Sequence, residues 1–131
     1  MEGNLPLTLP LSLFKKIYFM EHIEHINKVE LQGHVGTVRS NEHNGVKVVN
    51  FTLATELLYK TREGGATSEI TWHNIVVWDN AQMPDLDRIT KGTPINVTGR
   101  IRINRLKLAD GTEKQFHEIL ANKIRILREL V

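Results

Sequence analysis

Cysteine is absent from all 131 residues, which excludes disulfides and thiolate metal sites. Histidine occurs, but without a His-Glu-x-x-His pair, and His22 and His25 are spaced to meet only on a helix, so no metal centre is spelled out. No run is long and apolar enough to span a bilayer. The apolar stretch from Leu5 to Leu13 is short and broken by Pro6 and Pro10. Its lysines, Lys15 and Lys16, follow it, the reverse of a secretory signal. A cytoplasmic protein is expected. The formal net charge is only +2, so any attraction to a polyanion must come from where the cations sit. No nucleophile beside a base and no Walker-type loop is found, and the acids are scattered singly apart from Asp85 and Asp87. The chain therefore reads as a non-enzyme with no catalytic residues and no cofactor.

What is present fits one soluble domain with a real core, since 40% of residues are hydrophobic and 24% charged. Both tryptophans fall in one stretch, Thr71-Trp-His-Asn-Ile-Val-Val-Trp78. Its period of two predicts a strand. Trp72, Asn74, Val76 and Trp78 share one face, and His73, Ile75 and Val77 the other. Two flat rings along one sheet face make a platform for unstacked bases. A strand tryptophan is also an ordinary packing residue, and this segment alone does not separate the two.

Other strands follow by the same rule. Val29, Leu31, Gly33 and Val35 alternate with polar residues from Asn27 onward, with Gly33 and Gly36 expected to bulge the strand. A turn is expected around Asn41 to Gly45. Val49, Phe51 and Leu53 alternate in a second strand that Tyr59 ends. Gly64-Gly65 marks a mobile hairpin loop over 61–68. Pro84 to Ile89 reads as a short helix, with Pro84 in its first turn, Asp85 and Asp87 at its N-terminal end and Gly92 beyond its close. Ile95, Val97, Gly99, Ile101 and Ile103 face one way in a fourth strand. Asp110-Gly111 turns the chain into a fifth, from about Phe116 to Leu127. Three strands, a short helix and two more strands is the plan of an all-β, five-stranded OB-fold Greek-key barrel, which binds oligonucleotides or oligosaccharides. Residues 1–26 stand apart from the 27–131 barrel domain. Their pattern fits a flexible leader, a short helix or an extra strand, and Met20 is a possible natural start.

The cations cluster. Arg100, Arg102, Arg105 and Lys107 lie together without an acid between them. Such residues neutralise phosphates, and arginine also stacks on bases. They equally suit a solvated strand face. Lys60 and Arg62 enter the glycine-containing loop, where they would close over a bound strand. Tyr59, beside that loop, is a third stacking candidate or a strand-end tyrosine packing its ring. Asn74, between the tryptophans, completes the candidate nucleic-acid surface. His73 reads as a core or interface histidine.

These segments resemble the bacterial single-stranded DNA-binding protein family. Asn27-Lys-Val-Glu-Leu-Gln-Gly33 with Gly36 is similar to its first strand, and Asn50-Phe-Thr-Leu-Ala-Thr55 to its second. Thr71–Trp78 resembles its Trp-His strand, and Lys91-Gly92 through Gly99-Arg-Ile-Arg102 its fourth. The resemblance implies OB-folds assembled as a homotetramer, with a dimer as the smaller option, and stacking by Trp72, Trp78 and Tyr59. It also implies a role in DNA replication, recombination or repair. Leu106 stands where the family commonly has a further aromatic. The chain ends at Arg128-Glu-Leu-Val131 without the family's acidic tail, as in a tail-less or truncated member, so recruitment of partner enzymes through a tail is not implied. The alternative is a primosomal-type OB-fold adaptor whose sheet binds partner proteins, with DNA binding secondary. An OB-fold that binds RNA or sugar is a third reading.

Overall fold

The computed structural model of the chain describes residues 10–128. Period-two alternation yields five long strands: β1 (Val29–His43), β2 (Val46–Lys60), β3 (Ala66–Trp78), β4 (Pro94–Lys107) and β5 (Glu113–Ile126). They close into a barrel in the order β1-β2-β3-β5-β4. Every pairing is antiparallel except the short parallel contact of β3 with β5 at Ile75–Ile119 and Val76–Leu120. This is the all-β, five-stranded OB-fold barrel expected.

The inward face of each strand supplies the core. Val49, Leu53, Ile75, Val77, Ile95 and Val97 are essentially without solvent exposure, and each such burial contributes about 1.5–3 kcal/mol. Leu86 and Ile89 join them from the β3–β4 connection. Strong curvature needs close strand approaches. A Cβ at Gly33 would stand 1.9 Å from the Ala54 carbonyl oxygen, and one at Gly99 would stand 2.2 Å from that of Leu120. The β1–β2 register also shifts between Val35 and Val38. Asn27 pins the entry to β1: its side-chain amide donates to the Ile101 carbonyl at 2.7 Å, and its side-chain oxygen accepts from the Ile101 amide at 2.9 Å.

The strands are longer than the barrel needs. Residues 56–60 of β2 are all exposed, as are 103–107 of β4. The β2–β3 and β4–β5 hairpins therefore project as two-stranded arms. At the foot of β1 and β2 the chain reverses through Asn44 (φ 51°) and Gly45 (φ 81°), the paired positive angles of a tight hairpin turn.

Two expectations are corrected. The helix expected over Pro84 to Ile89 is a single 3-10 turn, Leu86–Arg88. Leu86 and Ile89 lie three apart and both enter the core, a spacing that a single 3-10 turn can provide. The Asp85 side chain accepts from the Asp87 amide at 3.0 Å, and an ion pair from Lys47 to Asp87 ties the turn to β2. The α-helix lies instead before β1: α1 (Leu11–Glu21), none of whose side chains is buried. It is one of the three forms open for the N-terminal segment, of which residues 1–9 fall outside the described part. The loop expected over 61–68 contracts to Thr61–Gly65, closed by the Thr61 amide donating to the Gly65 carbonyl at 2.9 Å, because β3 begins at Ala66.

Candidate nucleic-acid interface

The outward side chains of β1, β2 and β3 stand in rows set by the register. Asn41, Val48 and Trp78 form one row; Arg39, Asn50 and Val76 the next; Thr52 and Asn74 a third; His34, Ala54 and Trp72 a fourth. The two indoles stand six positions apart on β3, about 20 Å at about 3.3 Å per residue. Trp72 is 61% exposed and Trp78 40%. Both have seats. A Cβ at Gly36 would lie 2.6 Å from the Trp72 ring, so only glycine leaves that ring room over β1. His43 leans on Trp78 at 5.8 Å between ring centroids. The rings are held from behind and open in front, as stacking requires. Val76, on the same face, is buried because β3 meets β5 at that point.

Tyr59 is placed differently. It is 48% exposed, but it pairs with Thr67 while Trp72 pairs with Ala54. The odd offset between Ala54 and Tyr59 puts the tyrosine on the other side of the β2–β3 arm. Only the right-handed twist of that ribbon lets one extended ligand reach both. Lys60 projects on the Trp72 side of the arm, and Arg62 lies in its turn. Glu56, Glu63 and Glu69 share this arm, so it carries no cationic excess.

The four β4 cations do not act alike. Alternation sends Arg100 and Arg102 to one side of the β4–β5 arm and Arg105 and Lys107 to the other. Arg102 faces Glu118 across the ladder, and its Nε donates to Glu118 Oε1 at 2.8 Å. Glu118 is only 4% exposed. The charge of Arg102 is thus matched inside the protein, leaving Arg100, Arg105 and Lys107 facing solvent.

A groove of about 420 Å³ runs between the outer face of β1–β2–β3 and the β4–β5 arm that leans over it. Asn74 lines it and also the neighbouring cleft under Trp72. Arg39, Asn50 and Phe116 line it as well and were missed by sequence reasoning. The β1 alternation of Thr37, Arg39, Asn41 and His43 was the available signal for the first. Nothing local pointed to Phe116.

His73 faces away from the tryptophans, half-buried, and its Nε2 hydrogen-bonds with Thr55 Oγ1 at 2.9 Å. Burial pushes its pKa below the ordinary 6.5. The unfolded chain therefore takes up this proton first, so His73 lowers stability as pH falls below about 6.5, until the folded imidazole protonates too; above that range it has no such effect. His73→Gln should shrink the loss of urea-unfolding stability between about pH 7.5 and pH 5.5. An unchanged loss would assign the pH dependence to other groups.

The single-strand binding protein family matches residues 26–127. A relative from Xanthomonas campestris pv. campestris, called single-stranded DNA-binding protein, is 30% identical over 104 residues, covering 78% of this chain and 60% of its own. One of the same name from Neisseria meningitidis serogroup A gives the same identity and coverage. Among solved structures, a Plasmodium falciparum SSB in complex with ssDNA superposes with a TM-score of 0.66 at 28% identity, over 82% of this chain and 99% of the other. The chain belongs to the single-strand binding protein family. It spans about three fifths of the length of the curated relatives it matches.

Proposed function

We propose that the chain binds single-stranded DNA with little sequence preference, serving replication, recombination or repair as a homo-oligomer and not as an enzyme. Residues 27–131 form the binding domain, with 1–26 apart from it. Bases stack on Trp72 and Trp78, and on Tyr59 where the ligand follows the twist of the arm, while Asn74 contacts base edges between the tryptophans. Arg100, Arg105 and Lys107, joined by Arg39, neutralise phosphates, with Lys60 and Arg62 as peripheral contacts. Arg102 is withdrawn from this set because Glu118 holds it. The observation that carries the reading is the pair of exposed, back-supported indoles on one sheet face at the edge of a groove. The relatives' names and the ssDNA held by the Plasmodium falciparum protein support it. The adaptor alternative has no comparable feature in its favour.

The test is a titration with single-stranded oligo-dT, followed by tryptophan fluorescence at two salt concentrations. Strong quenching is expected. With four phosphates neutralised, log K should fall against log salt with a slope of about −3. Arg105→Ala should flatten the slope by about 0.7. Neither quenching nor binding would turn the surface over to a protein partner, and preference for RNA in competition would change the ligand class.

A further inference from the structure

The groove wall holds an aromatic that lies outside the hydrophobic core. Phe116, on β5, is half-buried. It belongs neither to the buried core nor to the partly buried residues that pack against it. It pairs across the ladder with Asn104 and faces the groove opposite Asn50 and Asn74. Among the described residues, no side-chain hydrogen bond occupies any of these three carboxamides. A carboxamide presents an N–H donor beside a C=O acceptor, the pattern that pairs with a base edge. A flat ring beside such groups makes a seat for one base, with the ring taking its face and the amides its rim.

The geometry points to Phe116 as a further stacking residue, placing a third base between those on Trp72 and Trp78. The inference rests on the single-stranded DNA reading above and adds to it a residue on a different strand. Because the arm carrying Phe116 leans over the sheet, a strand lying on the tryptophans passes beneath it. The β4–β5 arm then acts as a wall that contacts bases, in addition to carrying cations.

Three proteins test this with oligo-dT: wild type, Phe116→Leu and Phe116→Trp. Phe116→Leu keeps apolar bulk but removes the flat ring. It should unfold at the same urea concentration as wild type and bind roughly 5- to 150-fold more weakly. Phe116→Trp should bind as wild type does, and the fluorescence it adds should be quenched by DNA. If wild type binds and Phe116→Leu binds equally well, or if the added tryptophan stays unquenched at saturation, Phe116 is no stacking residue and the inference falls alone. If wild type itself does not bind, the functional reading falls and takes this with it.

Discussion

Removing both indoles, Trp72→Ala with Trp78→Ala, is expected to weaken oligo-dT binding by about three orders of magnitude. Each base–aromatic stack contributes about 1–3 kcal/mol, and about 1.4 kcal/mol is a factor of ten. The rings stand about 20 Å apart along β3, beyond the range at which substitutions usually couple, so their effects should add. Trp72 should show the larger single effect, since it is the more exposed ring and Gly36 leaves it room to lie over β1. Neither ring belongs to the core cluster, so urea unfolding followed by circular dichroism should show the double variant still folding cooperatively. Affinity is best measured by anisotropy of labelled DNA, because the variant has no tryptophan left. A double variant binding within threefold of wild type would make the pair a packing feature and leave the cations to carry the interaction.

What could be read in the chain and what could not divide along the range of the signal. Alternation within β2, β3 and β4 is local, and it gave the inward Val49, Leu53, Ile75, Val77, Ile95 and Val97 and the outward tryptophans, hence a five-stranded barrel with a platform. The 3-10 turn was misread because its markers, Pro84 and Asp85, also begin an α-helix. Leu86 and Ile89, three apart, suit the buried face of either form, so the difference lies in how the short connection packs onto the barrel. Features that depend on register between strands were hidden. The burial of Val76 follows from a parallel contact with β5. The role of Phe116 depends on the lean of one arm over a sheet formed by three other strands.

The clearest case of hidden register yields the second large expected effect. In the sequence, Arg100 and Arg102 are equivalent outward cations, and truncating either should flatten the salt dependence of DNA binding. The ladder separates them, because Arg102 falls opposite Glu118 and Arg100 opposite Leu120. Arg102→Ala leaves a buried carboxylate without its donor. Removing the partner of a buried charge is costly, but the Arg102 side chain is 37% exposed, so water enters readily and the expected loss is about 1–3 kcal/mol of folding stability. Urea unfolding of Arg102→Ala at neutral pH measures it directly. Adding Glu118→Gln should restore most of the loss, since a neutral amide tolerates the site without a cation, whereas Glu118→Gln alone removes only the partner charge of a half-exposed arginine. Arg100→Ala provides the contrast, leaving stability unchanged and making the salt slope shallower by about 0.7. Should Arg102→Ala keep wild-type stability while flattening the slope as Arg100→Ala does, the Arg102–Glu118 pair would be an incidental contact and Arg102 would rejoin the phosphate-binding set. The expected opposite pattern would show that, on this surface, the residue across the ladder decides whether an arginine serves the ligand or the fold.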